Sequence, residues 1–235
     1  MSDAADSWRE FWNRRNRVYV NARHLAAHCR RVADDFLSLG IAPGALVLDY
    51  GSGEALEAGR VAAAAGTLYL YDAAPETRAN LARRFAGVPA IAVLDDAGLD
   101  LLPARSLDLI VVNSVLQYVA KDELPRLLAR WRGWLKAGGR LVLADIIPPG
   151  DMLVPDTLAL LGFARREGFL PAALAGLAAM FYSDYRRLRA KLGLSCYGEA
   201  ELPALLAAAG FDARRRLPNL GINAARMTFV ATPVP

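Results

Sequence analysis

The stretch Val47-Leu48-Asp49-Tyr50-Gly51-Ser52-Gly53-Glu54-Ala55 decides the fold. Ala45 to Leu48 make a short apolar run of the kind a buried strand needs. The run ends in an acid, and two glycines follow one residue apart, at Gly51 and Gly53. From Glu54 to Ala65 the residues favour helix. A strand that enters a glycine turn and opens a helix is how an open α/β sheet holds a nucleotide-like ligand. The glycines let backbone approach that ligand, and a helix beginning at Glu54 offers its first N–H groups to a carboxylate or phosphate. A dinucleotide fingerprint needs a third glycine, and Leu56 stands in its place.

Working outward, strand and helix signals alternate. Strands are expected at 45–49, 67–71, 90–94, 107–112 and 140–146, and helices at 54–65, 75–86 and 121–136. That alternation implies a parallel sheet covered by helices on both faces. Upstream, 7–39 reads as helix, stopped by Gly40 and Pro43. After Pro148-Pro149-Gly150 the alternation breaks, and 156–192 reads as two helices with Gly168 and Pro171 between them. A helix at 198–209 ends at Gly210, and 211–217 and 225–232 read as a closing pair of strands.

Composition sets bounds on this scheme. With 235 residues, 54% of them hydrophobic, the chain can bury a sizeable core without disulfide staples. Its two cysteines, Cys29 and Cys196, suit a reduced, cytoplasmic setting and lack metal-ligand spacing. Ser2 to Trp12 has no apolar segment of a secretory signal. The longest uncharged stretch, 168–183, is too short to span a bilayer and contains Pro171, so a soluble chain is expected, with peripheral membrane contact still open. His24 and His28 stand one helical turn apart, but no third ligand accompanies them, so they read as a packed or solvated helix face and no metal is expected.

The net charge of +4 is unevenly placed. Seven arginines and one acid lie between Arg9 and Arg31, and six basic residues and two acids between Arg165 and Lys191. Such runs are ordinarily solvated faces; set above a binding site, they would draw an anionic substrate.

The order acid-x-Gly-x-Gly at Asp49, Gly51 and Gly53 resembles motif I of the class I S-adenosylmethionine (SAM) methyltransferases, which often place another glycine where Ala55 stands. Leu68-Tyr69-Leu70-Tyr71-Asp72-Ala73 is similar to that family's second strand, and Asp95-Asp96-Ala97 to the end of its third. Asp108-Leu109-Ile110-Val111-Val112-Asn113 resembles the fourth strand, and Trp134-Leu135-Lys136-Ala137-Gly138-Gly139 the turn before the fifth, with Ala137 in place of proline. Tyr197-Gly198-Glu199 through Gly210-Phe211 is similar to the helix that leads to strand six in small-molecule members.

The resemblance implies a three-layer α/β/α sandwich on a seven-stranded, mostly parallel sheet whose last strand is antiparallel. It implies one methyltransferase domain: an N-terminal helical lid at 1–40, a SAM-binding core at 41–150, a helical cap insert at 151–195, and a C-terminal helix with closing strands at 196–235. SAM would be the cofactor and S-adenosylhomocysteine (SAH) the product. Asp49, Gly51, Gly53 and Asn113 would hold the cofactor, with Asp72 and Ala73 at the ribose hydroxyls and Asp96 and Ala97 at the adenine. An acid at Asp72 alone would suit NAD equally.

Methyl transfer is an in-line displacement that needs alignment and a dry site more than a base. Gln117 and Tyr118, in the loop that faces the methyl in the family, are the expected substrate-orienting residues; Gln117 stands where some relatives carry histidine. Tyr19, Arg186 and Asn223 are expected to touch the substrate, a small molecule that is anionic or amphiphilic. Nucleic acid is not the expected partner, because Asn113-Ser114-Val115-Leu116 lacks the Asn/Asp-Pro-Pro-aromatic motif of exocyclic-amine methylation. A non-catalytic SAM-binding protein and a nicotinamide-dependent oxidoreductase are the alternatives. The oligomeric state is not encoded in these signals.

Overall fold

The computed structural model describes Trp8, residues 10–13, 19–180 and 193–234. Seven strands form one sheet: β1 (Leu46–Tyr50), β2 (Thr67–Tyr71), β3 (Ile91–Leu94), β4 (Leu107–Asn113), β5 (Leu135–Ile146), β6 (Phe211–Arg215) and β7 (Met227–Pro233). Their order is β3-β2-β1-β4-β5-β7-β6. β7 runs antiparallel to both of its neighbours, and the β1–β2, β1–β4, β2–β3 and β4–β5 pairs are parallel. Strand order reverses at β1 and β4, so a crevice opens between the loops that follow them.

The alternation of side chains along each strand builds two cores. Leu48, Ile110, Val112, Leu141 and Leu143 face one way, against Trp131 of α5 (Leu124–Trp134) and Leu206 of α8 (Glu201–Ala208). Val47, Leu68, Leu70, Leu109, Val111 and Val142 face the other way. There they meet Phe36 of α1 (Ala22–Leu37), Val61 of α2 (Ala58–Ala64) and Leu81 of α3 (Pro75–Arg84). Both faces of a parallel sheet need such cover. A short α4 (Asp96–Asp100) follows β3.

Helix α1 is shorter than the run expected at 7–39. Asn21 is extended and its side chain accepts the His24 N–H at 2.9 Å, which caps the helix there. At its far end Arg140 donates to the Leu39 and Gly40 carbonyls, and Arg216 to Ser38 Oγ. Cations near a helix C-terminus suit its dipole, and here they tie down the turn that follows the helix.

The helix expected at 54–65 begins only at Ala58. Gly51, Gly53 and Ala55 all adopt positive φ (89°, 56° and 41°), and that left-handed turn overrides the helix propensity of Glu54 to Glu57. The Gly53 N–H at Asp72 therefore belongs to the glycine loop and not to the start of α2.

The segment expected as a cap insert forms α6 (Leu153–Glu167) and α7 (Leu170–Met180), separated by Gly168 in the left-handed region. Phe163, Ala164, Phe169 and Ala173 pack on Ala27 of α1. Arg30 pairs with Glu167 at 3.0 Å across the same seam. Among the described residues no helix is long and apolar enough to cross a membrane.

Candidate active site

The loops at the carboxyl ends of β1, β2 and β4 frame a cavity of about 280 Å3. Asp49, Gly51, Gly53, Asp72, Ala73, Asn113, Tyr118 and Tyr19 all line it. Residues far apart in sequence thus converge at the strand-order reversal.

Asp72 sits at the centre of this arrangement. Its Oδ2 accepts the Gly53 N–H at 3.0 Å and its Oδ1 the Ala74 N–H at 2.9 Å. A carboxylate oxygen accepts more than one hydrogen bond, so both oxygens keep capacity for a diol. Burial raises the Asp72 carboxyl even against these donors. Burial, and then the charge of Asp72, push Asp49 up to about 8. A buried pair of acids of this kind favours a cationic ligand group.

Gly51 is required by packing as well as by its φ. A Cβ there would run into the Val115 side chain, so glycine is what lets the loop after β1 lie against the loop after β4. At Gly53 an added Cβ would meet no atom within 4 Å, which leaves open space beside the backbone.

The N-terminal side closes over this floor. The Trp8 ring lies 4.8 Å from that of Tyr118 and the Trp12 ring 5.5 Å from it, and both tryptophans line the cavity. Helix α1 contributes His28, Cys29 and Val32 to the wall. Burial, and then His24, hold His28 down at about 4, so its imidazole is neutral near pH 7. His24 itself is stacked on Phe169 at 4.7 Å. Burial raises Tyr19, whose ring lies 5.3 Å from His28. No group of three or more His, Cys, Asp or Glu among the described residues is arranged for a metal ion.

Several expected site residues stand apart from the described lining. Gln117 is buried outside it; its backbone carbonyl accepts the Ser195 N–H at 2.9 Å, and its side-chain Oε1 has no partner. Asn223 instead donates to Asp156 of α6 at 2.7 Å and accepts the Ala225 N–H, which fixes the loop before β7. Asp96, with Ala97 next to it in the first turn of α4, lies behind Tyr71 and accepts the Tyr71 hydroxyl at 2.7 Å. Its neighbour Asp95 caps α4 through the Gly98 N–H, which leaves Asp96 as the acid not used as a cap. Arg186 lies outside the described residues, as do the other basic residues of 183–191.

His28, read from the sequence as part of a packed or solvated helix face, lines the cavity, and so do Trp8 and Trp12 from the segment expected as a lid. The two tryptophans carried a signal, their clustering near the N-terminus; His28 carried none beyond its helical spacing from His24.

Whether the cavity fits a polar ligand is answered by three buried atoms. Ser52 Oγ, Asn113 Oδ1 and Trp12 Nε1 are buried without a hydrogen-bond partner, and all three residues line the cavity. Such atoms are costly unless a ligand or water meets them. Together with the Asp72 carboxylate and the open space at Gly53, they fit SAM.

Residues 48–143 match the methyltransferase domain family. The sheet order above is the Rossmann-like order, and the matched stretch holds the glycine loop and the Asp72 carboxylate. Among solved structures, the chain is similar to DhpI in complex with SAH, at 17% identity over 100% of both chains and a TM-score of 0.63. It is also similar to the magnesium protoporphyrin IX methyltransferase of Synechocystis PCC 6803 with bound SAM, at 15% identity over 99% of this chain and 98% of that one, TM-score 0.61. A third is the 1,6-didemethyltoxoflavin-N1-methyltransferase of Burkholderia thailandensis, at 20% identity over 89% and 79%, TM-score 0.54. At these identities the likeness is one of fold. No curated protein sequence matches the chain.

Proposed function

We propose that the chain moves the methyl group of SAM to a small acceptor, by O- or N-methylation, and releases SAH. The observation that carries this reading is the cavity itself, where the glycine loop and the Asp72 carboxylate are already joined and three buried polar atoms await partners. SAM, when bound, supplies a methyl group on a positively charged sulfur. Asp72 and Ala73 would hold its ribose, Gly51 and Gly53 would let it approach the backbone, and Asp49 and Asn113 would meet its polar end. Trp8, Trp12 and Tyr118 would exclude water, which favours a displacement that needs alignment and a dry site. Tyr118 would orient the acceptor from the lining; Gln117 would act only from outside it.

We infer further that the acceptor is amphiphilic or carries an anionic group. Arg165 and Arg166 are exposed at the end of α6, and α7 contains no charged residue and exposes Leu174. The basic residues Arg186, Arg187 and Arg189 follow directly in sequence. A small-molecule substrate in the cytoplasm suits these features, and contact of the cap with an anionic membrane surface is compatible with them.

The test is SAH release from SAM across an acceptor panel that starts with amphiphilic carboxylates and phosphates. Turnover with one compound class, with a KM raised by neutralising Arg186, Arg187 and Arg189, supports the reading. Tight SAM binding with no turnover on any class would favour a non-catalytic SAM-binding protein.

A further inference from the structure

Ser114 Oγ donates to Asp145 Oδ2 at 2.7 Å, 31 residues away. Ser114 follows β4 and Asp145 lies on the neighbouring β5, and the pairing of Asn113 with Ala144 sets the next residues side by side. Both Ser114 and Asp145 adopt φ of 58°, a left-handed conformation that side chains other than glycine rarely take. Such residues persist only where their surroundings fix them, and they gather at functional sites.

The surroundings are well defined. Arg226 Nη1 lies 3.6 Å from Asp145 Oδ2. The same guanidinium holds both oxygens of Asp156, from α6, at 2.9 and 3.0 Å. Asp145 is half-buried, and burial raises its carboxyl. Arg226 and the Ser114 hydrogen bond oppose that rise, and the charges of Asp156 and of Asp35 on α1 add to it.

Ser114 lines the cavity. With its hydroxyl hydrogen committed to Asp145, its Oγ turns lone pairs toward the ligand space. Beside it, Asn113 Oδ1 is a second buried acceptor, and it has no donor. Two adjacent acceptors on one wall call for ligand groups that bring hydrogen.

On the methyltransferase reading of the cavity, we propose that Ser114, oriented by Asp145, receives the proton of the methyl acceptor, whose nucleophile is therefore a hydroxyl or an amine N–H and not a carboxylate or phosphate oxygen. The nucleophile's lone pair forms the new bond to the methyl carbon, and the carbon–sulfur bond breaks with its electron pair left on sulfur. The nucleophile's proton passes to Ser114 Oγ as the Ser114 proton passes to Asp145 Oδ2. Asp145 is a positioning residue here, and Ser114 is the group that meets the acceptor. An anionic group, where the acceptor has one, lies elsewhere in the molecule.

The test is pH-difference infrared spectroscopy of the whole protein, as wild type, Ser114→Ala and Asp145→Asn, with SAH affinity measured on each. Beside the Asp49 carboxyl, which titrates at about 8 in all three proteins, a second carboxylic-acid band should titrate above the ordinary carboxylate range in the wild type. It should be absent in Asp145→Asn and move to higher pH in Ser114→Ala, which removes a hydrogen bond to the charged form. SAH affinity of Ser114→Ala should stay within about twofold of wild type. Ser114→Ala removes only a hydroxyl and decides the matter alone if Asp145→Asn does not fold. A band that ignores Ser114→Ala, or the lack of any such band, overturns the proposal. So does a loss of SAH affinity of about tenfold or more in Ser114→Ala, because Ser114 would then serve the cofactor. With SAM as donor, matched alcohol, amine and carboxylate compounds add a second arm, and preferential methylation of the carboxylate would also overturn it. A wild type that shows the coupled band but binds no SAH counts against the methyltransferase reading and leaves the pair intact.

Discussion

The Gly53 N–H donates to Asp72 Oδ2 at 3.0 Å, so the glycine loop and the acid at the end of β2 are tied together without any ligand. The Ala74 N–H holds the other oxygen at 2.9 Å. One carboxylate therefore orders two loops, and pre-ordering lowers the cost of binding. Replacing Asp72 with alanine should free both amides. Hydrogen exchange followed by NMR should show the Gly53 and Ala74 amides exchanging about tenfold faster or more in the ligand-free variant; unchanged protection would mean the loops are ordered by something else.

Gly51→Ala should be severe. The new Cβ would collide with Val115, and φ of 89° is costly for any side chain. Overpacking and left-handed strain together predict a loss of about 2–4 kcal/mol, read as a lowered denaturant midpoint. The double variant with Val115→Ala should recover part of it, since the collision is with that side chain.

Ala55 carries the same strain in milder form, with φ of 41° at the position where glycine is common in the resembling family. Ala55→Gly should stabilise the protein by about 0.5–1 kcal/mol, because relief of left-handed strain exceeds the added freedom of the unfolded chain. Thermal unfolding should shift up by about 1–4 °C. A fall in midpoint would show that the alanine methyl packs usefully against its neighbours.

Asp49 gives a pH signature. Its carboxyl is held at about 8 in the folded chain by burial and by Asp72, whereas an unfolded aspartate titrates near 4. Between those values the folded state keeps a proton that the unfolded state has lost. The contribution of Asp49 to stability is thus full below about pH 4 and is lost as pH rises through about 8. Asp49→Asn should be more stable than wild type at pH 8, with the difference vanishing toward about pH 4, in parallel thermal melts. An equal difference at both pH values would contradict the burial argument.

The parts of the fold legible in the sequence were the local ones. The apolar run at Val47 and Leu48, the glycines after it and the acid at Asp72 each announce a strand end within a few residues, and the cavity gathers them. Propensity misled where backbone geometry overrode it: Glu54 to Glu57 favour helix, but the positive φ of Gly51, Gly53 and Ala55 carries the loop on to Ala58. In the same way the Asn21 cap starts α1 well inside the run expected as one helix. The Ser114–Asp145 pair was not legible, because strand register and not sequence spacing joins them. Gln117 and Asn223 were assigned from their neighbourhood in the chain; in the fold the Gln117 backbone carbonyl holds the Ser195 N–H while its side-chain Oε1 has no partner, and the Asn223 side chain binds Asp156.

The most direct measurement is calorimetric titration of the purified protein with SAH, with NAD as the control and Asp72→Ala beside the wild type. The account predicts micromolar binding of SAH to the wild type, weakened about tenfold or more by Asp72→Ala, and no heat from NAD. A folded wild type that ignores SAH and binds NAD would contradict it.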